Sequence, residues 1–180
     1  TIVYTFDKKN FMLVPNASMI SKVFNWLLSK SKNFSVKVDD KSEDYFCIAV
    51  QGPESLRLLR QYLNVSISPF KLTKLDDLII SGTGYTGEKG YEIIGPLSEC
   101  LTVWQSFLDM GAIPIGLGAR DTLRLEKGYL LSGTDFNGSQ TTLESGYSWV
   151  VDWKHDFIGK EKLVSQKESG YAPLLSLIHI

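Results

Sequence analysis

The chain has 180 residues, 19 basic and 20 acidic side chains and a formal charge of -1, with 43% hydrophobic, 22% charged and 12% aromatic content. These fractions exclude wholesale disorder, and the balanced charge lacks the basic footprint of a nucleic-acid binder. The longest apolar runs, such as Leu78-Ile79-Ile80, fall far short of a membrane span. The length suits one ordinary domain, or two small ones sharing an interface.

Residues 1–6 and 11–15 are β-rich and flank the polar turn Asp7-Lys8-Lys9-Asn10, which predicts a hairpin. Ser18 is placed to cap a helix in which Met19, Ile20, Val23, Phe24, Leu27 and Leu28 recur at helical spacing through Lys30. Residues 45–50 predict a strand, broken by Gly52-Pro53. Pro53 then suits the first turn of a helix carrying Leu56, Leu59 and Leu63.

Residues 78–81 read as another strand, followed by a turn-rich stretch over 82–90 and by β character again over 91–94. Ser98 is placed to cap a helix with Leu101, Trp104, Phe107 and Leu108 on one face, ended by Gly111. A further helix is predicted over about 119–127, stopped by Gly128, and a further strand over 148–153. Mixed strands and helices without a repeat period predict an α+β fold with a mostly antiparallel sheet.

Cys47 and Cys100 stand 53 residues apart, a spacing that suits neither a zinc site nor a disulfide scaffold. A single disulfide stays open as an alternative to two buried, reduced thiols, the commoner arrangement. His155 and His179 lack metal-ligand spacing, so no metal is expected. No targeting signal is visible in the sequence as it stands, and both ends read as interrupted elements.

Gly82, Gly84 and Gly87 match G-x-G-x-x-G after a strand. A dinucleotide fingerprint needs a helix at the third glycine, whereas Glu88-Lys89-Gly90 and a strand follow here. The glycines therefore predict a tight turn or a close approach by another backbone or a ligand. Glu92 alternates with Tyr91 and Ile93. If those two face one layer, the carboxylate faces the other, either exposed or able to accept a planar N–H/NH2 pair. Arg120, at the mouth of a helix, is suited to a ligand oxygen or to pairing with Asp121 or Glu126. Tyr85, inside the glycine turn, is suited to walling a flat ligand or to ordinary packing.

Three stretches together resemble one family. Residues 83–93 (Thr-Gly-Tyr-Thr-Gly-Glu-Lys-Gly-Tyr-Glu-Ile) are similar to a T-G-Y-T-G-E-x-G-[FY]-E-[IL] motif, and residues 116–126 to G-L-G-A-R-D-x-x-R-L-E. Residues 148–150 with 156–161 are similar to S-W-x-V followed by D-F-I-G-K-E. Order and intervals agree with the aminomethyltransferase (T-protein) family of the glycine cleavage system. Weaker similarity at Val14-Pro15-Asn16-Ala17 and Gln51-Gly52-Pro53 extends the match from near residue 1 to about residue 167.

The resemblance implies a folate-binding α+β fold with ferredoxin-like elements over 1–167, its N-terminal part missing, and a tail over 168–180. It implies transfer of the one-carbon unit from the aminomethyl-lipoyl arm of the H-protein to tetrahydrofolate, with release of ammonia and formation of 5,10-methylenetetrahydrofolate. Glu92 matches the family's pterin-binding glutamate and Arg120 its folate-contacting arginine. Tyr85 borders the folate, and Tyr4 and Asn16 are expected nearby. The family's catalytic aspartate falls immediately before Thr1, so the 180 residues alone are expected to lack turnover. Asp76-Asp77-Leu78 lies in the wrong interval to replace it. The compartment implied is the bacterial cytoplasm or the mitochondrial matrix. Two relatives of similar fold remain as alternatives: a non-catalytic folate binder of iron-sulfur maturation, whose K-G-C-Y-x-G-Q-E motif is absent here, and a folate-dependent demethylase.

Overall fold

The computed structural model describes residues 1–172. The tail beyond them, including the apolar run 174–180 and His179, lies outside the described residues. The chain forms two compact units, one spanning 1–123 and the other running from Arg124 onward.

The first unit opens with the expected hairpin, β1 (Ile2–Thr5) paired antiparallel with β2 (Phe11–Val14). Helix α1 (Ile20–Ser31) follows a short 3-10 turn, Ala17–Met19. The side-chain cap is Asn16, not Ser18, and it serves the 3-10 turn, while α1 itself follows Met19 without a side-chain cap bond. The Asn16 Oδ1 accepts from the Ser18 backbone N–H at 3.2 Å and from the Ser18 hydroxyl at 3.0 Å. Asparagine wins because its carbonyl, two positions before Ser18, reaches the free N–H of the turn's second residue.

The main sheet runs in the order β3–β6–β5–β4, with every ladder antiparallel: β3 (Tyr45–Gln51), β4 (Leu72–Leu75), β5 (Leu78–Ser81) and β6 (Gly90–Pro96). Side chains on a strand alternate between faces, which decides what each face carries. Phe46, Ile48, Val50, Leu78, Ile80, Tyr91 and Ile93 point to one face, against Leu58 and Leu59 of α2 (Ser55–Leu63) and Val103 and Phe107 of α3 (Cys100–Asp109). The opposite face holds a smaller cluster of Tyr4, Ile79 and Ile94, where the hairpin lies on the sheet. At ~1.5–3 kcal/mol per buried large side chain, the helix face carries most of the unit's stability. The hairpin face is therefore the one with room for polar work.

Two details of this unit correct the periodicity. In α3 the buried positions are Val103 and Phe107, while Leu101 is 80% exposed and Trp104 42% exposed. The helix is apolar on more than one side, so spacing does not single out the packed stripe. Ser98 sits in the 3-10 turn Leu97–Glu99 and makes no side-chain cap bond. Helix α4 (Leu117–Glu126) forms as expected, and the boundary between the units falls within it.

The second unit contains a 3-10 turn, Ser148–Val150, where a strand was expected over 148–153. An apolar run becomes a strand only when another edge pairs with it, and this one turns on its own carbonyls through Val151 N–H to Ser148 O. Helix α5 (Lys160–Ser169) closes the unit. Arg124, 3% exposed, pairs with Asp135 and donates to the Tyr129 carbonyl at 3.0 Å. Asp135 also accepts from the Leu131 N–H at 2.8 Å, so the buried charge is both paired and hydrogen-bonded. Among the described residues, no helix is long and apolar enough to cross a membrane.

Candidate functional site

Glu92 lies in β6 between Tyr91 and Ile93, both fully buried in the helix-face core. Alternation turns the carboxylate to the opposite face. There its cross-strand neighbours are Ser81 of β5 on one side and Ala49 of β3 on the other. The two sides differ in chemistry. Ser81 is buried and polar, whereas Ala49 is small and exposed, which leaves the β3 side open.

On the closed side three hydroxyls converge. The Thr83 hydroxyl donates to Glu92 Oε2. Its oxygen stands 2.9 Å from Ser81 Oγ and 3.4 Å from Tyr4 Oη. Tyr4 is 4% exposed. Burial raises its pKa, the Thr83 and Ser81 hydroxyls pull it down, and the Glu92 charge and Cys47 add to the rise. Tyr4 is therefore a protonated phenol whose hydroxyl sits inside this cluster.

On the open side the Arg120 guanidinium lies over the Tyr85 ring, 4.7 Å from its centroid. That cation–π geometry presents a flat positive plate beside an aromatic wall. Cys47, exposed on the same face as Ala49, feels both charges. Desolvation, then the Glu92 carboxylate, push its thiol up to about 12, and Arg120 pulls the other way. Solvent reaches the residue, so the direction is what matters: at neutral pH Cys47 is a thiol. Both cysteines are free, Cys47 exposed and Cys100 half-buried, in place of the two buried thiols expected.

The turn that carries Thr83 and Tyr85 is held by Gln51 at the end of β3. Its amide donates to the Thr83 carbonyl at 3.3 Å and the Tyr91 carbonyl at 3.0 Å, and its Oε1 accepts from the Thr86 hydroxyl at 3.2 Å. Gly84 and Gly90 make this contact sterically possible, because a Cβ would stand 2.0 Å from Gln51 Oε1 at Gly84 and 2.5 Å from Gln51 Cδ at Gly90. The glycine pattern thus serves a close approach by a side chain. No helix starts at Gly87, and β6 follows instead.

Of the expected site residues, the structure connects Tyr4 to Glu92 through Thr83, and joins Tyr85 to Arg120. Asn16 is engaged at the 3-10 turn before α1, where its oxygen serves the cap. Four residues of the arrangement were not foreseen: Gln51, Ser81, Thr83 and Cys47. Alternation in β3 puts Cys47, Ala49 and Gln51 on the face away from Phe46, Ile48 and Val50, a signal that could have marked Cys47 and Gln51. The roles of Ser81 and Thr83 depend on strand pairing, which no local pattern encodes. Together the groups offer a carboxylate acceptor, an aromatic wall and a guanidinium on one face of a sheet, a donor–acceptor set suited to a flat nitrogen heterocycle.

An aminomethyltransferase of Pseudothermotoga lettingae is 44% identical over 179 residues, covering 94% of this chain and 49% of the relative. That of Halothermothrix orenii is 41% identical over 181 residues, and that of Staphylococcus carnosus 40% over 182, covering 94% and 95% of this chain and 50% of each relative. The chain thus spans about half the length of the curated relatives it matches. The crystal structure of glycine cleavage system aminomethyltransferase T from Bartonella henselae superposes with a TM-score of 0.78 at 28% identity, over 89% of this chain and 46% of that one. Residues 1–155 match the GCVT N-terminal domain, and the chain belongs to that family.

Proposed function

We propose that these residues form the folate-binding part of an aminomethyltransferase of the glycine cleavage system. In this reading the polypeptide that carries them moves the one-carbon unit from the aminomethyl-lipoyl arm of the H-protein to tetrahydrofolate, releasing ammonia and giving 5,10-methylenetetrahydrofolate. The observation that carries the reading is the two-sided environment of Glu92, tethered by hydroxyls towards β5 and open above Ala49 towards β3.

The chemistry fits. The pterin ring presents a 2-amino group beside a ring N–H, a planar donor pair, and an ionised carboxylate is its natural acceptor. Arg120 supplies donors to acceptors on the same ring system, and Tyr85 supplies a face to lie against. Tyr4 supports the carboxylate from behind through Thr83. The Asn16 oxygen is committed to its cap, so a contact from that residue falls to its amide nitrogen. The lipoyl arm of the H-protein is the partner this reading requires, and the compartment it implies is the cytoplasm of a bacterium or the matrix of a mitochondrion.

The test is ammonia release in the polypeptide that carries this chain, supplied with aminomethyl-loaded H-protein and tetrahydrofolate. Release that depends on folate and collapses in Glu92→Gln supports the reading. Full release without folate, or in the Glu92→Gln variant, overturns it.

A further inference from the structure

We infer that Thr83 is a positioning residue whose hydroxyl fixes Glu92 with one carboxylate oxygen tethered and the other free for the ligand, and that Gln51 holds Thr83 in place to do so. The inference rests on the reading of Glu92 as the ligand-binding carboxylate, and goes beyond it by naming what orients that group.

Proton counting carries the argument. Thr83 Oγ1 stands within bonding distance of three groups, Glu92 Oε2, Ser81 Oγ and Tyr4 Oη, yet a hydroxyl has one proton and two lone pairs. The carboxylate is the strongest acceptor of the three and has no proton to give, so the Thr83 proton goes to Glu92. With that proton committed, Thr83 has only lone pairs left for Ser81 Oγ at 2.9 Å and Tyr4 Oη at 3.4 Å, so holding the carboxylate uses the one proton that Thr83 has.

The backbone beneath Thr83 is equally constrained. Gln51 bonds the Thr83 and Tyr91 carbonyls with the same amide, clipping the start of the glycine turn to the strand that carries Glu92. Thr86 anchors the Gln51 oxygen in return, at 3.2 Å. A polar chain therefore runs from Thr86 through Gln51 and Thr83 to Glu92, and each link is closed by a residue of the turn. Its effect is selectivity for donor-bearing edges. A carboxylate held from one side offers a fixed acceptor that a planar N–H/NH2 pair matches and that a ring edge of acceptors does not.

Thr83→Val removes the hydroxyl at nearly constant shape, and Thr83→Ser restores it. In the intact chain Thr83→Val weakens tetrahydrofolate binding by about tenfold, the scale of one hydrogen bond to a charged group. Thr83→Ser restores the affinity and the parent's melting temperature, while Thr83→Val melts lower because Ser81, Tyr4 and Glu92 lose a buried partner. In a Glu92→Gln background Thr83→Val adds less than about twofold, because the two residues act as one unit. Crystal structures of the parent and Thr83→Val are the second readout, with the carboxylate expected to turn away from its parent position. Parental affinity in Thr83→Val, or an effect additive with Glu92→Gln, overturns the inference. Should the parent chain bind no tetrahydrofolate, the proposed function loses its support while the inference is decided by the crystal structures. An unmoved carboxylate overturns it and a displaced one sustains it.

Discussion

A Cβ on Gly84 would stand 2.0 Å from Gln51 Oε1, so the glycine and the glutamine side chain share one volume. The same side chain bonds the Thr83 and Tyr91 carbonyls, and so the absence of a side chain at residue 84 is a condition for the turn that supports Glu92. Gly84→Ala is expected to expel Gln51 and destabilise the chain by about 1–3 kcal/mol, the cost of leaving buried polar partners unmade. Gln51→Ala in the same chain removes the clash, so the double variant should be less destabilised than the sum of the singles. Denaturant melts of the four proteins check this, and strict additivity would contradict the shared volume.

Tyr91 presents the opposite case, a polar atom with nothing to do. Its ring is fully buried against Phe107, with centroids 6.3 Å apart, and its hydroxyl has no hydrogen-bond partner among the described residues. Burial alone raises its pKa. Tyr91→Phe is therefore expected to leave stability unchanged or raise it by up to ~1–2 kcal/mol. Tyr91→Ala should cost about 3–5 kcal/mol through the cavity it leaves. Thermal melts distinguish the two, and a large loss in Tyr91→Phe would show that the hydroxyl has a partner after all. The family motif is indifferent at this position, reading Phe or Tyr.

The Arg124–Asp135 pair makes a sharper demand on the second unit. Arg124 is 3% exposed and also holds the Tyr129 carbonyl, so removing Asp135 strands a buried guanidinium. Asp135→Ala should cost about 3–5 kcal/mol. Arg124→Lys should recover part of an Arg124→Ala loss, since the single nitrogen Nη1 meets both the carboxylate and the carbonyl and an ammonium keeps the charge. Urea denaturation followed by circular dichroism measures both.

Cys47 reports on the charges of the site without any ligand. Its thiol is pushed up to about 12 by desolvation first and the Glu92 carboxylate second, against Arg120. A folded-state pKa above the ordinary thiol value of 9.0 means the folded chain holds this proton more tightly than the unfolded one. The associated stability is complete below about pH 9 and is lost as the pH rises towards 12. At pH 8, iodoacetamide should alkylate Cys47 more slowly in the folded chain than in urea. Glu92→Gln should speed the reaction and Arg120→Met slow it. Peptide mass mapping gives the rates, and insensitivity to both substitutions would separate the thiol from the site.

The elements legible in the sequence are those whose side chains settle their own partners. Alternation in residues 45–50 marks β3 and its two faces, and the spacing of Leu56, Leu59 and Leu63 marks α2. β4 was missed because Leu72-Thr73-Lys74-Leu75 carries too little apolar pattern; its pairing with β5 makes it a strand. Helix α5 was missed for a similar reason, since Lys160–Ser169 has no apolar stripe. Residues 148–153 erred in the other direction, an apolar run without a partner edge. Alternation and a helix-mouth position made Glu92 and Arg120 candidates beside plainer readings, and the resemblance of whole motifs gave them roles. Alternation shows the face of Gln51 but not its partner, and Thr83 gave no local signal, because their work is done across 40 and 9 residues of sequence, to Tyr91 and Glu92.

The most direct measurement is a calorimetric titration of tetrahydrofolate into this chain and into Glu92→Ala. Saturable one-to-one binding to the parent, weakened by at least about tenfold in the variant, is the predicted result, on the scale of lost hydrogen bonds to a charged acceptor. Equal binding to both would place the pterin elsewhere and contradict the central claim that the carboxylate tethered by Thr83 is what receives the folate.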